Sequence, residues 1–392
     1  MNPSTDRIAV IQKVRSFALA AAVAGLALSG VGFVMDRQAF APSYLTAYLF
    51  WIGVTLGCLP LIMLHHLTDG GWGYPIRRLM EIILKSLPLM ALLFLPVAVN
   101  LKELYLWARP EAVAHDALLQ QKQLYLNPSF FYGRAVFFFV IWGLWAYGLI
   151  RGANAYEKDH SPKVHDKLQV LSGAGLVMYG LTVTFSCVDW SMSLEPHWYS
   201  TIYGFLFMMG QTLAGFSIVI ILTGFLSKNK GPLSPAVTPS RTHDLGKLLL
   251  AFIMLWAYVC LSQFIIIWSG NLAEETPWYL RRLSHGWNGI AIALTAFHFF
   301  VPLGLLLSRD LKRNLATLAP VAALIAVMRY VDLFWLVKPV FNESLSFHWL
   351  DLTCLAGIGG LWLFFVLSRA VSEPLIMTHD PLEGAEKEAH AH

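Results

Sequence analysis

The sequence predicts an all-α integral membrane protein with about ten transmembrane helices, in one polytopic domain that covers residues 1–392. Apolar residues make up 57% of the chain and charged residues only 13%, whereas soluble domains carry about 25% charged residues. Ten hydrophobic runs are each long enough to cross the roughly 30 Å hydrocarbon core of a bilayer. They cover residues 14–35, 43–66, 76–100, 129–151, 167–190, 199–226, 245–269, 286–307, 315–337 and 348–370.

Four polar stretches lie outside these runs. Residues 1–13 lack a small-residue cleavage site after the first apolar run, which predicts that no signal peptide is removed. Residues 101–128 mix charges with apolar residues at helical spacing, which predicts an outward-facing amphipathic helix at the membrane interface. Residues 227–242 are rich in Pro, Ser and Gly and predict a flexible cytoplasmic linker. Residues 373–392 predict a polar, solvated cytoplasmic tail.

The distribution of loop charges predicts how the chain is oriented. With ten spans both termini lie on the same side of the membrane, and most of the loop Lys and Arg residues fall on that side. By the positive-inside rule this side is cytoplasmic. The cations are spread along the chain and not clustered, so the net charge of +4 does not indicate a nucleic-acid surface.

The fifth run carries a polar stripe. Four of its polar residues are separated by 3, 4 and 3 positions, which places them on one face of a helix. A polar face inside a bilayer must turn toward other helices or toward water. The stripe therefore predicts that this helix belongs to a larger bundle. Its members are Tyr179, Thr182, Ser186 and Asp189.

Spans five to eight show an internal similarity. His165 and His243 begin related segments, and Trp190 and Trp268 close the spans that follow, with the same offset of 78 residues in both cases. The letters EPHWY follow the first segment and ETPWY the second. This pattern predicts a parallel repeat of two helices and one four-helix bundle made by spans five to eight. The alternative is that polar helix starts and interfacial aromatic belts produce the similarity without a repeat.

Charged residues inside the runs are the candidate functional groups, because an unpaired charge at the bilayer centre costs on the order of 3 kcal/mol or more. Glu81 and Lys85 are four positions apart and are expected to neutralise each other. Arg329 and Asp332 are three apart and predict a direct ion pair, either structural or proton-conducting. His298 is isolated among apolar residues, which favours a core histidine over a haem ligand.

Two further charges lie near the outer interface. Arg134 is expected to extend toward that interface, as long cationic side chains do. Asp189 ends the polar stripe, either as a carboxylate satisfied by loop amides or as part of a proton path. No catalytic residue and no metal ligand is predicted. The candidate proton path comprises Lys85, Tyr179, Thr182, Ser186, Asp189, His298, Arg329 and Asp332.

The four cysteines exclude the common haem and cluster motifs. They are Cys58, Cys187, Cys260 and Cys354, and they form neither CxxC, CxxCH nor iron-sulfur spacing. Any c-type haem or iron-sulfur centre that works with this chain must therefore lie on another subunit. We expect no cofactor on this chain.

Several long motifs resemble a known family. They are LSGAGLVMYGLTVTFSCVDWSMSLEPHWYSTIYG, HDLGKLLLAFIMLWAYVCLSQFIIIWSGNLAEETPWYLRR, LLLSRDLKRN, MRYVDLFWLV and HWLDL. Together these stretches, which run from about residue 165 to 370, resemble the F subunit of bacterial alternative complex III. That subunit belongs to the wider group of polysulfide-reductase-type (NrfD-like) membrane subunits. The N-terminal third is similar in hydropathy and length more than in motifs.

The resemblance implies a ten-helix subunit in the membrane arm of a respiratory quinol:cytochrome c oxidoreductase, in the bacterial inner membrane. The implied partners are a sister membrane subunit that binds quinol, an iron-sulfur subunit, and multihaem and monohaem cytochrome c subunits. Within such a complex this chain either provides a proton path or serves as a silent scaffold. A stand-alone secondary transporter is the alternative, although no corresponding pair of spans is broken by Gly and Pro at mid-membrane.

Overall fold

The computed structural model describes residues 3–159 and 161–377, and every regular element in these ranges is a helix. Ten segments of the described chain are long and apolar enough to cross a membrane, which agrees with the predicted number. We number them spans 1 to 10, and the helix of span 1 begins at Pro3. The spans are Val10–Met35, Arg37–Thr68, Arg77–Val99, Pro128–Asp159, Pro162–Leu194, Tyr203–Lys230, Pro239–Gly270, Trp287–Leu307, Leu315–Val340 and Trp349–Ser372.

Span 3 is not one continuous helix. It consists of three short helices, Arg77–Leu84, Leu87–Leu92 and Leu95–Val99. Pro88 and Pro96 stand at the beginning of the second and third helices, where a missing backbone N–H is tolerated. The two prolines therefore divide a hydrophobic run that otherwise reads as a single helix.

Span 8 contains a π-helical segment. The α-helix Trp287–Ala293 widens into a π-helix over Leu294–Phe300 and returns to α-helix at Val301–Leu307. Pro302 lacks an N–H and its ring excludes the carbonyl four residues earlier, which belongs to His298. The wider turn accommodates this conflict and places His298 inside the irregular segment.

Spans 2 and 6 form the centre of the molecule. About four fifths of each is buried, against roughly a quarter of spans 1, 7 and 8. Span 2 packs against spans 3, 5, 6, 9 and 10, while span 6 packs against spans 2, 5, 7 and 9. The helices therefore form two groups, spans 2 to 5 and spans 6 to 9, joined along spans 2 and 6.

This grouping differs from the four-helix bundle of spans 5 to 8 that the repeat predicts. The polar face of span 5 packs on spans 2, 4 and 6, and span 9 closes the other group. The two tryptophans at the repeat offset also occupy different environments, because Trp190 is 2% exposed and Trp268 is 72% exposed. Trp198 and Trp278, from the similar loop motifs, stack with ring centroids 4.7 Å apart.

Spans 1 and 10 pack closely in antiparallel fashion through glycines. A Cβ atom added to Gly25 would lie 2.5 Å from the backbone nitrogen of Gly357, and one added to Gly360 would lie 2.5 Å from that of Ala22. Small residues that allow backbones to approach are typical of helix contacts in membranes. The start of span 1 and the end of span 10 therefore share one face of the protein, the terminal face. The opposite side is the loop face.

A strap of short helices covers part of the loop face. The single amphipathic helix predicted for residues 101–128 is wrong, because Pro110 and several turns divide the segment. Lys122 anchors the strap by donating to the carbonyl of Pro196 at 2.6 Å, and the Tyr105 hydroxyl donates to the carbonyl of Trp190 at 3.0 Å. Its helices are Leu101–Leu104, Leu106–Ala108, Pro110–Ala114 and Ala117–Lys122.

The predicted linker and tail are partly packed on the terminal face. Leu233 and Ala236 in the segment before span 7 are buried. The tail begins with Glu373, which pairs with Lys85, and continues through the buried side chains of Leu375 and Met377. These first tail residues are packed instead of solvated because they lie against the start of span 3, where the Tyr74 hydroxyl donates to the carbonyl of Met377 at 3.4 Å. Residues 378–392 lie outside the described part of the chain.

Candidate functional site

The polar stripe of span 5 faces the protein interior, as its spacing predicts. The Tyr179 hydroxyl donates to the side-chain oxygen of Gln211 on span 6 at 3.1 Å. Thr182 accepts a hydrogen bond from the indole N–H of Trp142 on span 4 at 2.9 Å. All four members of the stripe are buried, namely Tyr179, Thr182, Ser186 and Asp189.

Asp189 forms a buried ion pair with Arg134 near the loop face. The Arg134 guanidinium donates to both carboxylate oxygens, with Nε to Oδ2 at 2.7 Å and Nη2 to Oδ1 at 3.0 Å. The same guanidinium donates to the carbonyl of Tyr125 at 2.9 Å and lies 3.8 Å from the centre of its ring. The bidentate fork matches the geometry of a carboxylate and gives the pair a fixed orientation.

Both simple expectations for these two residues are therefore wrong. Arg134 does not extend to the interface, and the Asp189 carboxylate is satisfied by a guanidinium and not by loop amides. Burial, with the Asp189 charge as a smaller cause, raises the pKa of Tyr125 well above its usual value. The phenol of Tyr125 thus stays protonated beside this pair at any physiological pH.

Arg329 and Asp332 form the direct ion pair expected on span 9, and both are buried. The Arg329 guanidinium lies against Gly210 of span 6, where an added Cβ would be only 2.2 Å from Cζ. Its Cζ is 5.6 Å from the ring centre of Phe207. The glycine thus leaves the space that admits an arginine between spans 6 and 9.

His298 adjoins this pair from span 8. Its ring is fully buried, its centroid is 4.1 Å from that of Trp256 on span 7, and Arg329 acts on it electrostatically. The contacts of these buried polar groups are longer or less well aligned than regular hydrogen bonds. His298 faces the backbone of Met328, the Trp256 indole faces the Asp332 carboxylate, and the Gln263 amide faces the Tyr279 hydroxyl.

Lys85 lies apart from these clusters, and the predicted pairing with Glu81 is wrong. Glu81 binds Arg77 at 3.3 Å and Arg78 at 2.8 Å, whereas Lys85 pairs with Glu373 at the end of span 10. The reason is that Glu81 is already paired with the two arginines at the start of span 3. Lys85 is also only partly buried, with 29% of its side chain exposed.

Sequence reasoning overlooked several polar residues that the structure brings to the interior. Ser172 lies two helical turns before Tyr179 on the same face of span 5, so the stripe could have been extended to it. Its hydroxyl is 3.0 Å from Nδ1 of His66 on span 2. Lys338, expected in a loop, is buried in an ion pair with Asp351 at 2.5 Å. Nothing in the sequence next to His66 indicates Ser172 as its partner, and nothing next to Asp351 indicates Lys338.

The fold and these clusters define a polytopic membrane protein with buried ion pairs and polar groups between its spans. The described residues contain no group of three His, Cys, Asp or Glu side chains that could hold a metal ion. Comparison with known protein families finds no match for this chain, and comparison with curated proteins finds none either.

Proposed function

We propose that this chain is a membrane-arm subunit of a respiratory quinol:cytochrome c oxidoreductase and that it provides a proton path across the membrane. The long motifs between about residue 165 and residue 370 support the first part of the proposal. In this assignment the redox centres belong to iron-sulfur and cytochrome c subunits, and quinol binds mainly to a sister membrane subunit. Both termini then face the cytoplasm.

The observation that carries the proton path is the polar cluster of Arg329, Asp332 and His298 at mid-membrane. At about 1.5 Å per residue, Arg329 and His298 each lie about 16 Å from the loop-face end of their spans, near the middle of a roughly 30 Å core. Ionisable residues at this depth are costly and typically mark ion or proton pathways. A π-helical turn at His298 is a further feature common at functional sites.

Toward the loop face this cluster continues to the Asp189 and Arg134 pair. Cys187 of span 5 lies between the two ion pairs, within electrostatic range of both Arg329 and Asp189. Each carboxylate is held by one guanidinium. A proton can be accepted by either carboxylate when its guanidinium is displaced, which makes the two pairs candidate stations in a relay.

Toward the terminal face the path continues along span 5. Gly210, which contacts the Arg329 guanidinium, is followed on span 6 by Gln211. The side-chain oxygen of Gln211 accepts a hydrogen bond from the Tyr179 hydroxyl of span 5. Ser172 and its partner His66 lie about 10 Å further along span 5, at a rise of about 1.5 Å per residue. We place His66 in the terminal half of the path, for which the sequence predicts Lys85 as a charged residue inside a span.

The test of the path is the ratio of protons translocated to electrons transferred in vesicles that contain the whole complex. Asp332→Asn alone leaves Arg329 buried without a partner, so the double variant Arg329→Gln/Asp332→Asn is examined beside it. We expect both to retain quinol oxidation while the ratio falls. Asp244→Asn, at an exposed carboxylate, is the matched control and should not change it. An unchanged ratio in an assembled double variant would leave a scaffold role only.

Membership of a redox complex is tested separately by purification in mild detergent through a C-terminal tag. We expect haem c absorbance in a reduced-minus-oxidised spectrum, together with an iron-sulfur subunit and a second membrane subunit. A colourless single polypeptide in two different detergents would contradict the assignment and favour a stand-alone transporter.

A further inference from the structure

A narrow apolar groove lies on the lipid-facing surface between the broken span 3 and span 10. It encloses about 390 Å³. Leu89 forms its wall on span 3, and Leu361, Phe364 and Phe365 form its wall on span 10. On span 3 the groove is bounded by the second short helix, Leu87–Leu92, which follows the first break in that span.

The terminal-face end of the groove is polar and basic. Arg369 is the one charged residue among the described residues that line it, and half of its side chain is exposed. Glu373 accepts from Arg369 at 3.2 Å and also pairs with Lys85, whose side chain is 29% exposed. Two cations that share one carboxylate leave a net positive charge at the mouth of the groove.

The length of the groove and the charge at its mouth indicate its occupant. From Leu361 to Ser372 the wall is about 16 Å long at a helical rise of about 1.5 Å per residue. Leucine and phenylalanine side chains form most of this wall, and its terminal-face end is cationic. A long apolar groove with a cationic end suits an extended hydrocarbon chain that carries an anionic headgroup.

We propose that this groove is a binding site for one anionic phospholipid, whose acyl chain lies between spans 3 and 10 and whose phosphate binds Arg369 and Lys85. Basic side chains at the end of an apolar cleft between spans are typical of sites for anionic headgroups. Arginine binds phosphate in bidentate fashion, and the lysine adds a second point charge. This site is independent of the proton path and requires only that the protein spans a membrane.

The test is lipid retention by the purified full-length chain, measured by native mass spectrometry. The delipidated protein is titrated with dioleoyl phosphatidylglycerol or with dioleoyl phosphatidylcholine. We expect one phosphatidylglycerol to be retained at a concentration about tenfold lower than phosphatidylcholine. Both lipids carry a phosphate, but the choline ammonium cancels the headgroup charge and is repelled by the two cations, whereas phosphatidylglycerol keeps a net negative charge. Equal retention of the two lipids would overturn the proposal.

Single substitutions test whether the lipid binds in this groove. Arg369→Gln should abolish the preference for phosphatidylglycerol, whereas Lys247→Gln, at an exposed cation that is also paired with a nearby carboxylate, should leave it unchanged. Ser368→Trp should fill the groove and reduce the retention of both lipids. Glu373→Gln should strengthen phosphatidylglycerol binding, because it frees both cations.

The last variant separates lost binding from misfolding, since a damaged fold cannot produce a gain. Weaker phosphatidylglycerol binding by Glu373→Gln, or no effect of Arg369→Gln, would refute the site. Cross-linking of a cysteine placed at Ser372 to a second protein in the native complex would show a protein occupant and would also refute it.

Discussion

Replacing Asp189 with Asn removes one partner of a buried ion pair and leaves the Arg134 guanidinium inside the protein. Asp189 is fully buried and Arg134 is 8% exposed. Breaking such a pair from one side costs about 3–5 kcal/mol in unfolding free energy. Arg134 keeps its hydrogen bond to the Tyr125 carbonyl and its contact with the Tyr125 ring. We therefore expect the lower end of that range, about 3 kcal/mol.

The reverse change, Arg134→Met, should cost more, because the Asp189 carboxylate then has no cation beside it. We expect a loss toward about 5 kcal/mol. The double variant Arg134→Met/Asp189→Asn buries no charge and should recover most of the stability, since most of the loss in each single variant comes from the uncompensated buried charge. The coupling energy between the two positions should be about 3 kcal/mol or more.

The assay is reversible unfolding of the purified chain by titration with SDS, followed by helix content. The exposed pair of Lys247 and Asp244 provides a matched cycle, for which about 0.3–0.5 kcal/mol is expected. A coupling energy at Arg134 and Asp189 of the same size as this control would refute the reasoning, because the buried pair would then contribute no more than a solvated one.

Two further predictions concern a close helix contact and the strap. Gly210→Ala should lower the free energy of unfolding by about 1–3 kcal/mol, because the added Cβ would displace the Arg329 guanidinium. Gly143→Ala is the control in the same SDS titration and should not destabilise the protein, because its Cβ meets no atom within 4 Å. Asp116 caps the strap helix Ala117–Lys122, and the hydrogen bond from the Leu119 amide is the main cause that lowers its pKa. The ionised carboxylate therefore stabilises the cap. Protection of the strap amides from hydrogen exchange should be present at neutral pH and lost as the pH falls through that lowered pKa. Asp116→Ala should show the unprotected exchange already at neutral pH, and unchanged protection factors would show that the cap does not hold the strap.

Properties that depend on local sequence could be predicted. A window of about 20 apolar residues identifies a membrane span without reference to the rest of the fold, and the ten spans are predicted in this way. The inward face of span 5 follows from the 3, 4, 3 spacing, and the ion pair of Arg329 and Asp332 follows from adjacent positions on one helix. Each of these depends on a single helix.

Contacts between helices could not be predicted in the same way. Arg134 lies 55 positions from Asp189 and Lys85 lies 288 from Glu373, so their pairing depends on how the spans pack. Within one helix Glu81 is an equally plausible partner for Lys85, and only the arrangement of Arg77 and Arg78 decides against it. Hydropathy also does not distinguish spans 5 to 8 from spans 6 to 9 as a bundle, because both groups are equally apolar.

The glycine contact between spans 1 and 10 has a consequence for the order of biosynthesis. Span 1 packs mainly on span 10, and 332 positions separate Gly25 from Gly357. At about 5–20 residues per second, translation of this interval takes roughly 20–60 s. During that time span 1 has only its smaller contact with span 2, and lipid or the insertion machinery must cover the rest of its surface. A ribosome that stops before Trp349 thus releases a chain in which span 1 lacks its principal partner.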